Sequence, residues 1–405
     1  MYLAVLVVAL GYFVDIFDLT LFSMLRGPSL SSLGVQGNGL MDSGILLLNV
    51  QMAGMLIGGF FWGSLGDKKG RIGVLFGSIL CYSLANMLNA FVYDVNSYAC
   101  LRFISGFGLA GELGVGITLI AELMPKGTRG IGTTIVTALG VLGAVAGGVF
   151  VEFFSWRQCY FIGGVLGLLL LFLRVRLKDS DIFLRAQKKE SLRWGDFGLV
   201  LKQKTLAIKF ILSSMIGVPI WCVAGILMAF APEIAKSLGV DGDVTASRTI
   251  AISYLGVSVG DLLSGLLSQY LRRRIRVVQI FMLMTFVFVL AQLGFSQGHT
   301  PEYFYFWAFM VGLGTGYWTL FVTMGAEQFG TNVRASVATT IPNIVRGAVI
   351  PMTLIFKLLK EHWGILNSIF VTGGTVFLLA FVSTFFLPET FGKDLAYFED
   401  EKSSP

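Results

Sequence analysis

Twelve apolar runs of about 20 residues follow one another along the chain, at 2–25, 44–66, 72–93, 97–124, 130–154, 158–176, 205–231, 246–271, 277–296, 303–327, 337–358 and 366–387. Each is long enough to cross the hydrocarbon layer of a membrane as a helix. Backbone amides have no water to bond with there, so each run must satisfy them within itself, which selects helices. Composition agrees: of 405 residues, 55% are hydrophobic and 13% charged. That is roughly half the charge of an ordinary soluble domain. The 50 glycines fit too, because glycine lets membrane helices approach closely. The expected class is an all-α polytopic membrane protein, in contact with lipid. Its net charge of +6 then reflects loop placement and implies no nucleic-acid partner.

Basic residues set the orientation. With the N-terminus inside, inner loops and tail carry 21 of the 30 Lys and Arg, and outer loops carry 5. Such asymmetry places both termini in the cytoplasm, in the plasma (inner) membrane. The first run is no cleavable signal, since it holds Asp15 and Asp18 and lacks a basic leader. The chain opens almost inside this helix, so a short preceding segment is expected. Cys81, Cys100, Cys159 and Cys222 are scattered, with no CxxC, and read as small buried residues. Neither a metal site nor a cofactor is expected. The "GLGTGYW" stretch lacks the lysine of a phosphate-binding loop, and no hydrolytic motif marks the chain as an enzyme.

The charged stretch from Arg174 to Thr205 divides twelve runs into six and six. The expected units are 1–176, a linker 177–204, 205–387 and a tail 388–405. The halves echo each other: "AELMPKGTRG" follows run four and "AEQFGTNVRA" follows run ten, placing Glu122 and Arg129 205 positions before Glu327 and Arg334. Duplicated six-helix halves with a site between them resemble the architecture of the major facilitator superfamily, which the handful of motifs below makes specific.

"GSLGDKKGRIG" is similar to that superfamily's G-x-x-x-D-[RK]-x-G-[RK] signature, with Gly63, Asp67, Lys68, Gly70 and Arg71 at the matching positions. Physically, Gly63 permits close helix packing and Asp67 can accept from a helix N-terminus or a base. Gly70 permits a tight turn, while the basic residues hold the loop on one membrane face. The resemblance implies a conformational latch, made with Glu122, Arg129, Glu327 and Arg334. "RFISGFGLAGELGVGITLIAELMPKGTRG" and "LPETFGKDL" resemble the sugar-porter and organic-ion branches. Run seven lacks the glutamine pair of sugar porters, and run five lacks the Gly-Pro of drug antiporters. Organic-ion and metabolite:proton symporters match best.

An ionisable side chain near the middle of a membrane costs about 2.5–3.5 kcal/mol on insertion scales, so each is a functional candidate. Asp15 and Asp18 share one helix face. Asp18 and Arg102 lie to the outer side of their helix midpoints, by roughly 6 and 12 Å, and Arg102 can reach inward to pair with Asp18. Asp15 and Glu112 lie near the centre and would repel if both ionised, so one of them is a candidate proton carrier. In the family's proton-coupled sugar porters a helix-one Asp and an Arg at the Arg102 position do this. Asp261 and Arg346 share a depth, which fits either a structural bridge or a substrate site. Arg346 lies among Pro342, Gly347 and Pro351, whose backbone irregularity suits a cavity wall. The resemblance places Tyr12, Trp221, Tyr254, Tyr317 and Trp318 on helices that line the cavity.

The function these features imply is alternating-access transport of a small organic metabolite, an organic acid being favoured, with protons as coupling ion and the monomer as the unit. The alternative is proton-coupled efflux of amphipathic cations, with Asp15, Glu112 and Asp261 as the attracting charges. A transporter-like receptor has no appended sensory domain to support it.

Overall fold

The computed structural model describes residues 2–37, 39–124, 129–174, 197–330, 332–393 and 399; the side chains of 2–4, 121–122, 129–131 and 335 are outside that description. The side chains of Glu122 and Arg129, most of the expected linker and most of the tail therefore lie outside the described residues. Among the described residues there is no strand.

The first half holds α1 (Tyr2–Ser32), α2 (Gly39–Lys69), α3 (Arg71–Asn89), α4 (Val95–Leu109), α5 (Glu112–Leu123), α6 (Arg129–Phe153) and α7 (Trp156–Arg174). Helices α4 and α5 belong to one span, interrupted at 110–111. A short α8 (Phe197–Lys202) leads into α9 (Lys204–Cys222), which continues as a π-helical turn, Val223–Met228. Then come α10 (Ala231–Ser237), α11 (Ala246–Leu271), α12 (Arg274–Phe295), α13 (Pro301–Thr315), α14 (Trp318–Glu327), α15 (Arg334–Gly347) and α16 (Val349–Ser383). Helices α13 and α14 again share one span, and the last long segment, Ser336–Phe386, contains two. Gly364, at φ 77° and ψ 172°, turns the chain there and makes the twelfth crossing.

Several helices outrun their apolar stretches. Helix α1 continues through Pro28 to Ser32, and α2 begins five residues before its apolar run, at Gly39. Their polar extensions are satisfied by partners: Arg26 pairs with Glu233, and Asp42 with Lys357. Hydropathy sees the apolar run and not the pairing, so it stops short.

Glycine brings the spans together in a repeated way. Gly54 and Gly58 of α2 press on the backbone of Phe103 and Phe107, while Gly106 of α4 presses on Gln51. In the second half, Gly256 and Gly260 press on Phe309 and Leu313, while Gly312 presses on Ser253. A side chain at any of these positions would collide with main chain, so both pairs of helices rely on the same backbone-to-backbone contact. The duplication visible in the sequence is thus a duplication of packing.

Candidate functional site

Between the halves lies a small cavity. Tyr12 and Ile16 of α1 line one side; Trp221, Tyr254, Trp318 and Arg346 line the other. Irregular backbone surrounds it: the π-helical turn follows Trp221, the α13–α14 interruption precedes Trp318, and α15 ends just after Arg346. Such interruptions are tolerated at membrane depth where they face a cavity. A second, smaller chamber shares Trp221, Met228 and Tyr254 and adds Thr20, Ser23, Leu48 and Met52. It lies farther along α1, toward Arg26.

Arg346 is fully buried. Its Nη1 donates to Asn343 Oδ1 at 3.1 Å, while Nε and Nη2 have no hydrogen-bond partner. The guanidinium carbon stands 5.6 Å from the Trp221 ring and 5.7 Å from the Trp318 ring. The two indoles meet edge-on, with centroids 6.5 Å apart, and Trp318 Nε1 donates to the Tyr12 hydroxyl at 2.9 Å. Aromatic faces attract the cation but leave its N–H groups unsatisfied.

Asp261 corrects an expectation. Depth matching suggested a bridge to Arg346, but Asp261 Oδ1 instead accepts the backbone N–H of Thr319 at 3.0 Å, capping the start of α14. It is not on the cavity wall. Equal depth does not decide the direction in which a side chain leaves its helix. Tyr317 is a second correction: it is buried in the second half, with its hydroxyl donating to the Ile216 carbonyl at 3.2 Å.

In the first half, Asp15 and Asp18 are wholly buried, and among the described residues none of their carboxyl oxygens has a hydrogen-bond partner. The expected direct Asp18–Arg102 pair is not made. Asn86 intervenes, accepting from Arg102 Nη1 at 3.3 Å and from Ser105 at 3.1 Å. Arg102 also stands over the rings of Phe22 and Tyr160. The charged groups acting on Asp15 are Arg346, Glu112, Asp18 and Arg174.

Glu112 is not left beside Asp15 alone. Arg174 grips it with both terminal nitrogens, Nη1 at 3.0 Å from Oε2 and Nη2 on Oε1. The sequence suggested no such role for Arg174, because an arginine at a helix end ordinarily reaches out to water. The only signal was its place one residue after the apolar "LLLLFL" run.

Both ends of the cavity are shut by contacts between the halves. At one end Asp67 Oδ2 accepts the backbone N–H and hydroxyl of Ser336, in the first turn of α15. Gly63 packs on Ser336, and Gly70 turns the chain at φ 102°. Arg71 is 3.6 Å from Asp67, while Lys68 is exposed. In the second half Glu327 pairs with Arg274 at 2.7 Å, and Arg334 donates to the Phe329 carbonyl. Glu389, from "LPETFGKDL", accepts from the backbone of Arg274 and Ile275 and so caps α12. At the other end Arg26 meets Glu233 at 2.6 Å and stands over Phe230. Thr353 donates to Asn49 at 2.8 Å, and Lys357 pairs with Asp42 at 2.9 Å. A cavity closed at both ends is an occluded state.

Comparisons with known proteins agree with this geometry. A protein of Haemophilus influenzae named as a metabolite transport protein is 27% identical over 354 residues, covering 84% of each chain. The 4-hydroxybenzoate transporter PcaK of Pseudomonas putida is 32% identical over 143 residues, covering 34% of this chain and 32% of that one. The solved structure of the proton:xylose symporter XylE superposes with a TM-score of 0.74 at 18% identity, over 98% of this chain and 97% of that one, which is a likeness of fold. The family model described as Major Facilitator Superfamily matches residues 8–341. With twelve crossings, paired halves and a closed cavity between them, the chain is an integral membrane protein that belongs to the Major Facilitator Superfamily.

Proposed function

We propose that the protein carries a small organic acid, together with a proton, across the plasma (inner) membrane by exposing its central cavity alternately at the Asp67 end, facing the cytoplasm with both termini, and at the Arg26 end. The working unit is the monomer in lipid. One observation carries this reading: Arg346 is buried in the cavity wall with no carboxylate hydrogen-bonded to it among the described residues and with two N–H-bearing nitrogens unused. A buried guanidinium needs an anion, and its planar fork suits a carboxylate. The flanking indoles and otherwise apolar wall favour a planar ring behind that carboxylate. An aromatic monocarboxylate meets both demands, in keeping with the 4-hydroxybenzoate relative.

Coupling follows from charge. Of the charged groups acting on Asp15, Arg346 acts most strongly. When the cavity is empty, an ionised Asp15 faces Arg346. A carboxylate bound to Arg346 takes over that balancing, and Asp15 can then be neutral only by holding a proton. Anion and proton therefore favour each other's binding, by the same free energy in both directions. Uptake of labelled 4-hydroxybenzoate into proteoliposomes, driven by an imposed pH gradient, tests the reading. Uptake toward the alkaline side supports symport. Extrusion of amphipathic cations under the same gradient, with no movement of the acid, would establish the efflux alternative instead.

A further inference from the structure

Helix α7 presents one face, through Gly163, Gly167 and Arg174, to the interior of the first half, and three ionisable groups from other helices lie along it. A side chain at Gly163 would run into Asp18 Oδ1. One at Gly167 would meet Ser83 and, at 3.2 Å, the ring of Tyr82. Arg174, at the end of the face, holds Glu112, and both groups press on Gly11, one helical turn before Asp15. Along α7 the order is Asp18, Tyr82, Glu112, spaced by roughly 6 and 10 Å of helix rise.

Tyr82 is the unexplained member. It is fully buried, and its hydroxyl has no hydrogen-bond partner among the described residues. On the α7 face its ring lies between Asp18 and the Arg174–Glu112 pair. A buried hydroxyl without a partner costs stability. A phenylalanine would fill the same space without that cost, so a hydroxyl here calls for a use.

We propose that the Tyr82 hydroxyl relays the coupling proton between the helix-one carboxylates and Glu112, along a route inside the first half that is separate from the substrate cavity. The inference rests on the proton-coupled reading above. The hydroxyl donates its proton to the Glu112 carboxylate and accepts the one leaving the Asp15 carboxylic acid. The balance is a neutral Asp15 and an ionised Glu112 giving an ionised Asp15 and a neutral Glu112, with the phenol restored. Arg174, released by neutral Glu112, then faces the newly charged Asp15 across Gly11. Glu112 lies toward the Asp67 end of its span, so its proton leaves to water when that end opens. Tyr82 is a relay and Arg174 a positioning residue; neither touches the cavity wall.

Tyr82→Phe is the test, because it removes one oxygen and leaves the packing. Purified wild type and variant are compared by thermal unfolding, by counterflow of labelled 4-hydroxybenzoate at equal pH, and by uptake driven by a pH gradient. The relay requires an unchanged or raised Tm, counterflow within about twofold of wild type, and gradient-driven uptake reduced about tenfold or more. Equal loss of both transport modes, or loss of neither, overturns it. Wild-type protein that exchanges the acid but ignores the gradient refutes proton coupling itself, an outcome visible without any variant.

Discussion

Asp67, near the end of α2, accepts both the backbone N–H and the hydroxyl of Ser336, at 2.8 and 2.7 Å, across 269 residues of chain. A carboxylate here meets the N-terminal turn of α15, where backbone N–H groups lack helical partners and the helix dipole favours negative charge. If this end opens by parting α2 from α15, the contact must break. Charge-assisted hydrogen bonds contribute about 1.5–3 kcal/mol. Asp67→Asn should therefore shift the balance toward opening at this end by about ten- to a hundredfold. Spin labels at the exposed positions Lys69 and Tyr270 should report longer distances. Distances unchanged in every condition would count against the latch.

At the opposite end the ion pair between the halves is more open to water. Arg26 is nearly buried, but the Glu233 side chain keeps 26% of its exposure, so their pair contributes about 1 kcal/mol at most. Arg26→Gln should open this end modestly, and labels at Tyr93 and Gln297 should separate. High salt should mimic the substitution in wild type by screening the pair. A distance insensitive both to salt and to Arg26→Gln would show that the Arg26–Glu233 pair does not hold this end shut.

The Asp67 loop and its turn were legible in the sequence because turn, charge and glycine occur at fixed spacing in a short loop, and each residue type there has a narrow physical use. The cavity aromatics Tyr12, Trp221, Tyr254 and Trp318 were legible through the resemblance, and Tyr317 was not separable from its neighbour Trp318. What failed was pairing. Depth along a helix follows from counting residues, but the direction of a side chain around the helix depends on tilt and neighbours. Asp261 and Arg346 share a level, yet Asp261 bonds the start of α14, and Arg102 donates to Asn86 and not to Asp18. Arg174 gave little signal and Tyr82 none, since a terminal arginine and an interior tyrosine are both ordinary in membrane helices.

The two helix-one carboxylates should separate by role. Asp15 is the one on which Arg346 acts, whereas Arg102 acts on Asp18. Asp15→Asn should abolish uptake driven by a pH gradient while leaving exchange at equal concentrations measurable, because exchange moves no net proton. Asp18→Asn should leave some gradient-driven uptake and should alter the effect of Arg102→Ala. Wild-type gradient-driven uptake in Asp15→Asn would remove it from the coupling scheme.

Arg346 decides what is carried. Had it been bridged to Asp261, truncation would leave a buried carboxylate unpaired and cost about 3–5 kcal/mol. Asp261 is occupied elsewhere, and the side chain of Arg346 has one hydrogen bond, to Asn343. Arg346→Ala should therefore fold with a Tm close to that of wild type, since it removes a buried cation whose Nε and Nη2 are unpartnered. Affinity for 4-hydroxybenzoate should fall about ten- to a hundredfold, the loss of charge-assisted hydrogen bonds to a carboxylate. Arg346→Lys should recover part of it, because an ammonium keeps the charge without the fork. Trp221→Leu and Trp318→Leu should weaken binding of the aromatic acid more than of an aliphatic acid of similar size, as loss of a ring contact requires. A well-folded Arg346→Ala protein that binds acids as wild type does would move the anion site elsewhere and revive the cation reading.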